Sequence, residues 1–497
     1  MQAFTIDPST LRALATALLL TTSCTGRGGP DHAASATPAA EEGKAAEDTA
    51  KPKAEPTQLA GEAAEVDEAS AAQEPARAPV DPEQALAYDE ADPLGDLETA
   101  DALDAPAGVP FAKVKAPAGG CAVVHGGRRL WPSSGYAAVV DTGSGFAVAG
   151  FGSKPGSKPG SKPGAKPGVK ASDKASDKPA SEQLYLLRVP AEGLVEPVTA
   201  FAIEPPHPGE RKAGPGISAR TGDDVTVAYT DGAGVLWARR LRMGRSGGGA
   251  RVKLASGVDT RFSPAVAHSE DKTLVAWTEG STPMKTHLAV ISKDDEVIAR
   301  HDITPVSFGA AAPTFVVGAR PPVVIVVDAR DGMSPLLRID LANDGTPSPG
   351  QVATPVGMVS SPPQLAAAST SMGTWVGYTG LGGASTSAVG LVGIAPVPGS
   401  PEALVKGTAY GQLHVSATVA EKSAIFAADA AIGAGKHPPR EVRVQLVGAE
   451  GAGTPTSIRG PGGHASRASV ARDQNGAVLV TYNTDSGVYA ALLRCDD

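Results

Sequence analysis

Val323-Val324-Ile325-Val326-Val327 is a run of five β-branched apolar residues, bounded by Pro321-Pro322 before it and Asp328 after it. Successive side chains of a strand point to opposite faces, so a strand over this run is apolar on both. Leu274-Val275-Ala276-Trp277 reads the same way. Strands of a sandwich alternate apolar-in with polar-out, and these do not; further sheets must cover both of their faces.

Related strands recur along the chain. Strong copies lie at Val225-Thr226-Val227-Ala228-Tyr229, Trp375-Val376-Gly377-Tyr378 and Val478-Leu479-Val480-Thr481-Tyr482, and weaker ones near Phe146 to Phe151 and Ala424 to Ala428. Their last residues, Phe151, Tyr229, Trp277, Val327, Tyr378, Ala428 and Tyr482, are spaced by 78, 48, 50, 51, 50 and 54. The first gap contains a 28-residue Lys/Pro/Gly insert, and without it the gap is 50. A second strand follows each copy at hairpin distance, from Leu184, Val235, His287, Leu336, Val389, Val442 and Val488. A period of about 50 residues with three or four strands each is that of a β-propeller blade. Gly 59 and Pro 43 against 4% aromatics agree with short, turn-punctuated strands.

The sequence therefore predicts an all-β fold, a seven-bladed β-propeller over residues 109–497. The last copy ends at Arg494-Cys495 without an outer strand, and an early strand around Cys121-Ala122-Val123-Val124 can supply it and close the ring. Cys121 and Cys495 would then be neighbours, and in an oxidising compartment they form a disulfide.

The preceding part is different. Residues 13–22 (ALATALLLTT) are an apolar run behind Arg12, too short to span a bilayer but suited to a signal peptide. The string Leu20-Thr21-Thr22-Ser23-Cys24 resembles a bacterial lipobox, with Thr21 where Leu is preferred; the resemblance implies lipidation of Cys24 and a signal peptide over residues 1–24. Residues 25–108 carry 20 acidic against 5 basic side chains and almost nothing to bury, which reads as a disordered acidic tether that could hold one short helix after Asp81-Pro82. The insert at residues 152–180 begins Gly152-Ser153-Lys154-Pro155, and a Pro every fourth residue forbids a ladder. It reads as a flexible basic loop, either a tentacle for anionic groups or a neutral repeat expansion. Of the chain's net charge of -9 the tether supplies -15, and the propeller without its insert is close to neutral, so no basic face for nucleic acid is present.

No catalytic motif is legible. The nine His are scattered singly without zinc spacing, and His125, His268 and His414 sit at or beside strands. Nucleophile elbow, P-loop and dinucleotide fingerprints are absent. Acidic residues such as Glu270-Asp271, Asp294-Asp295, Asp344-Gly345 and Asp485 fall where turns are expected, as capping residues or, if they converge on the axis, as a cation or sugar site. Trp237 with Arg239, Arg240 and Arg242 offers either a stacking platform for a glycan or a solvated strand face, and Arg128-Arg129 before Trp131 poses the same choice.

Over residues 110–497 the chain resembles bacterial propeller-bearing lipoproteins in general, with no family whose motifs carry over residue by residue. The expectation is a monomeric lipoprotein of the cell envelope, held by its lipid in the outer membrane, without metal or cofactor. Its propeller is expected to bind an envelope protein or glycan without catalysis. The alternatives are a carbohydrate-active enzyme, hydrolase or lyase, with carboxylates at the central channel, and an outer-membrane assembly factor.

Overall fold

The computed structural model of the chain describes residues 114–131, 135–153, 182–190, 194, 199–202, 213–220, 224–242, 248–280, 283–304, 310–328, 334–349, 351–356, 364–383, 386–394, 402–409, 413–432 and 438–496. The unit Met1–Ala76 lies wholly outside them, as do the expected signal peptide, Cys24, the tether with its short helix and nearly all of the lysine insert. The unit Arg77–Asp497 holds all of the described residues.

Strand β1 (Gly120–Trp131) opens the fold, and antiparallel meanders come after it. The first is β2 (Ala137–Asp141), β3 (Gly145–Ser153), β4 (Glu182–Pro190) and β5 (Thr199–Ala202). Next come β6 (Gly216–Ala219), β7 (Asp224–Thr230), β8 (Val235–Arg242) and β9 (Gly248–Ser256), then β10 (Ala265–Ser269), β11 (Lys272–Glu279), β12 (Lys285–Ile291) and β13 (Val297–Asp302). They are succeeded by β14 (Ala310–Val317), β15 (Val323–Asp328), β16 (Ser334–Asp340) and β17 (Gln351–Val356), and by β18 (Leu365–Thr370), β19 (Gly373–Gly383), β20 (Thr386–Ile394) and β21 (Glu402–Ala409). In the next meander β22 (Val415–Val419), β23 (Ala424–Ala431) and β24 (Arg440–Gly448) pair in turn, and the outer edge of β24 takes both β25 (Gly451–Ala452) and β26 (Thr456–Ile458). The last consists of β27 (Ser466–Arg472), β28 (Ala477–Thr484) and β29 (Gly487–Asp496), with β1 added outside β29.

This is the architecture of a β-propeller, and its cores show why the middle strands are apolar throughout. Leu274 and Ala276 pack toward β15 with Val324 and Val326, while Val275 and Trp277 pack the other way, toward β8. On the far side of β15, Val323, Ile325 and Val327 pack against Val376 and Tyr378 of β19. Each meander is thus a layer between two apolar seams, and the core is distributed among the seams rather than gathered in one place.

Among the described residues the hydrogen bonds gather into six sheets, which corrects the expectation of seven separate ones. The reason is local. β14 and β18 approach closely enough for parallel pairing at Val316 with Ala367 and Val317 with Ala368, so β14 to β21 form one eight-stranded sheet.

Closure occurs where the sequence placed it. β1 pairs antiparallel with β29, and Cys121 lies directly opposite Cys495 in a disulfide 374 residues apart in the chain. At its other end β1 delivers Trp131 to the first meander, where Nε1 donates to the Phe151 carbonyl at 3.0 Å. Gly150 is required beneath that ring: a Cβ there would lie 2.3 Å from Trp131 Cζ2. The lysine insert joins β3 to β4, whose ends pair at Ser153 and Glu182, so it leaves from the tip of a hairpin.

Candidate functional site

The innermost strands β2, β6, β10, β14, β18, β22 and β27 succeed one another around the axis, and β27 returns to β2. Each is the first strand of its meander, and β14 and β18 run parallel, so they all leave the axis at the same mouth. Their free edges surround a cavity of about 1070 Å³, the size of a small-molecule or oligosaccharide site. Side chains are small here because inner strands crowd near the axis: Ala138, Ala219, Ala267, Ala417 and Ala471 line the wall among hydroxyls. Some of those hydroxyls tie neighbouring strands together. Ser469 Oγ accepts from the Val139 amide at 3.2 Å, and Ser416 Oγ accepts from the Val470 amide at 3.1 Å.

Charge is confined to one end. Asp141 ends β2, Arg472 ends β27, Arg220 and Glu270 directly follow β6 and β10, and Arg320 follows β14 by three residues. These are the charged side chains lining the cavity among the described residues. The other end is lined by neutral groups, including Phe262, Pro264, Pro313 and Gln364.

Asp141 accepts from the Gly143 amide at 2.8 Å, yet burial raises its carboxyl pKa above the ordinary value, and the charge of Asp473 adds to the rise. Glu270 accepts from Asn343 Nδ2 at 3.0 Å and has φ of 54°, a left-handed conformation that costs a residue with a Cβ on the order of 1 kcal/mol. His268 reaches the Ser218 carbonyl at 3.4 Å and Thr273 Oγ1 at 3.2 Å, and burial lowers its pKa below the ordinary histidine value.

The remaining sequence candidates resolve locally. Trp237 donates through Nε1 to Asp231 Oδ2 at 2.8 Å and is covered by the Arg251 guanidinium, 3.8 Å from its ring centre; the face a sugar would need is taken. Arg240 bridges Asp224 and Asp295 at 3.4 and 3.6 Å, and Arg242 lies 3.8 Å from Asp224. Trp131 is buried in the closure, and Arg128 donates to the Leu194 carbonyl. Asp344 and Asp473 accept turn amides from Thr346 and from Asn475 and Ala477, as residues that cap turns do. His125 lies within β1 opposite Leu492. Among the described residues no three His, Cys, Asp or Glu come together as metal ligands.

Sequence reasoning missed a second polar set. The residue after each middle-strand marker is polar in Thr230, Thr278, Asp328, Thr379, Asp429 and Asn483. Thr278 Oγ1 accepts from the Ala312 amide of the next meander, and Asp429 accepts from the amides of Arg467 and Ala468 in its successor. Ala312 and Arg467 have φ of 53° and 57°, so these side chains satisfy amides that the irregular start of an inner strand leaves without a ladder partner. The recurrence of a polar residue at one fixed position was the available signal.

Beside Asp429 lies His414, whose ring meets Tyr136 edge-on at 5.3 Å. Burial, then the charges of Arg467 and Arg440, lowers His414 from 6.5 to about 3, and burial raises Asp429 from 3.8 to about 6. Below pH 6.5 the unfolded chain takes up a proton on His414 that the folded state refuses until about pH 3, so stability falls as pH falls through that window. Asp429 acts oppositely, costing stability as pH rises from about 4 to about 6, by the smaller shift. Urea unfolding across pH 3.5 to 6.5 is expected to show a net loss on acidification that His414→Gln, which leaves Asp429 unopposed, abolishes or turns into a gain; equal slopes for the two proteins would refute it.

No known family pattern matches the chain. No curated protein matches it either. Among solved structures, AofleA from Arthrobotrys oligospora is similar at 11% identity with a TM-score of 0.37, over 66% of this chain and 87% of that one. A thermostable family-43 glycoside hydrolase is similar at 9% and 0.32, over 56% and 86%, and an endo-arabinase from Bacteroides thetaiotaomicron VPI-5482 at 10% and 0.31, over 57% and 93%. Such low identities and scores extend to neither substrate nor mechanism. Glycoside hydrolases stand among these neighbours, against the expectation of a domain without catalysis, but likenesses of this strength assign the chain no activity. The absence of a linear motif was no test, because carboxylates that meet at an axis come from strands far apart in sequence.

Proposed function

We propose that the domain is a carbohydrate-active propeller that hydrolyses a glycosidic bond at the charged mouth of its channel. One observation carries this reading: Asp141 and Glu270 are the carboxylates that line the cavity among the described residues, and both stand at one mouth. Asp141, its pKa raised by burial, suits the proton donor, and Glu270 is the second carboxylate such chemistry needs. Asp141 gives its proton to the glycosidic oxygen and the bond from that oxygen to the anomeric carbon breaks. Water then adds to the carbon, and its proton passes to Glu270. The positive φ of Glu270 belongs to the two-residue turn that joins β10 to β11. Asp141→Asn and Glu270→Gln are each expected to lower kcat on a cleaved polysaccharide by about 10²-fold or more with the fold intact. Glu270→Gly should lose turnover while gaining a few tenths of a kcal/mol of stability or more, because glycine accepts positive φ. No turnover by the native protein on any polysaccharide would defeat hydrolysis, and an unchanged kcat in the variants would defeat these two residues.

The eight-stranded sheet is read as two blades joined at their inner edges, seven in all; the seam of Ile325 and Val327 against Val376 and Tyr378 inside it, like those between the other meanders, supports this count. Lipidation of Cys24 would hold the propeller in the cell envelope, at the outer membrane, on the tether of residues 25–108. Fractionation tests this: Cys24→Ser should move the protein from the membrane to the soluble fraction, and retention in the membrane would refute the anchor.

A further inference from the structure

We infer that the charged mouth is an oxyanion site, and that the saccharide taken there is an acidic one bearing carboxylates. The inference deepens the hydrolytic reading and rests on it for the word saccharide.

Arg220, Arg320 and Arg472 line the same mouth, and among the described residues none of their side chains has a hydrogen bond or ion pair. Arg472 is only partly exposed, and its Nε is buried without a partner. A buried guanidinium nitrogen without an acceptor costs free energy that a bound anion would return. The two carboxylates of the mouth leave this need unmet: Asp141 is engaged by the Gly143 amide, Glu270 by Asn343, and among the described residues neither forms an ion pair with an arginine.

The order around the mouth adds to the argument. From β27 to β14 it runs Arg472, Asp141, Arg220, Glu270, Arg320, so each carboxylate stands between two guanidinium groups. An acidic polysaccharide held by its carboxylates on the arginines would bring its neutral linkage between them, beside Asp141 and Glu270. The hydroxyls of Ser218, Ser416, Thr418 and Ser469 line the wall beyond the mouth and suit the sugar rings rather than the acid groups. The guanidinium fork matches the two oxygens of a carboxylate, which favours this ligand over a neutral chain. The excess of three cations over two anions at a low-dielectric opening also draws polyanions to it.

The test is titration calorimetry of the full chain at low and high salt with three probes: polygalacturonate, dextran and inorganic sulfate. Arg220→Gln, Arg320→Gln and Arg472→Gln are made singly and together, with Lys285→Gln as a control, a lysine paired with Asp302 away from the mouth. Salt-sensitive binding of polygalacturonate but not dextran, weakened about tenfold by each arginine substitution and unaffected by the control, is the expected result. Equal binding of dextran, unchanged in the triple variant, overturns the inference and leaves the saccharide reading standing. Arginine-dependent binding of sulfate with neither polymer bound keeps the oxyanion site and overturns the saccharide reading beneath it. Absence of binding by all three probes overturns the site.

Discussion

Replacing Cys121 and Cys495 by Ser is expected to lower the stability of the domain by about 5 kcal/mol. The bond closes a loop of 374 residues, nearly the whole propeller, and in the chain-entropy account its main effect is on the denatured ensemble, which it keeps compact. The native structure should change little, because Cys121 and Cys495 are one register position in a longer ladder between β1 and β29. The urea midpoint should therefore fall and the denaturant slope rise, since a chain freed of its cross-link exposes more surface on unfolding. Equal midpoints for the oxidised protein and the double variant would show that the ladder alone holds the ring.

Trp131→Ala is expected to cost about 4 kcal/mol, nearly as much as the disulfide, at the opposite end of the same strand. Trp131 is 2% exposed and packs in the seam with Leu130, Phe146 and Leu479, so its removal leaves a large cavity between the last meander and the first. The Phe151 carbonyl also loses its indole donor. Trp131→Phe separates the two contributions: it keeps most of the volume and gives up the hydrogen bond, for about 1 kcal/mol. Equilibrium unfolding of both variants decides, and a loss below about 1 kcal/mol for the alanine would mean that the seam collapses to fill the space.

The strands expected from the sequence and those found agree wherever burial is two-sided. β11, β15 and β28 are apolar on both faces because neighbouring meanders cover both, so a continuous apolar run already states the layering. The outer strands were harder. β13 alternates between half-buried and exposed residues, and β25 has only two residues, so neither projects a strong pattern. Sheet count was illegible for another reason: the two parallel bridges between β14 and β18 depend on how closely two inner strands approach, which no local pattern encodes.

The mouth of the channel was legible only in part: Glu270 was among the turn carboxylates that could converge on the axis, but its companions were not singled out, for a related reason. Asp141, Arg220, Glu270, Arg320 and Arg472 come one from each of five meanders, some of them hundreds of residues apart, and each looks like an ordinary turn residue in its own surroundings. Only the return of the chain to the axis brings them together. Trp237 shows the converse, an aromatic beside arginines whose sequence suggests a platform but whose face is occupied by Arg251.

The forward bonds from Thr278 to Ala312 and from Asp429 to Arg467 and Ala468 also set a rule for recombining the fold. A meander is a convenient module by its strand pairing, but at these two junctions the inner strand is held in part by a side chain belonging to its predecessor, whereas Thr379 accepts from Gln364 within its own meander. A chimaera cut at either junction inherits an acceptor from one parent and amides shaped for another. Crossovers placed within a middle strand, upstream of the polar position, would carry the acceptor and its amides across together, and they mark where exchangeable parts of this ring begin and end.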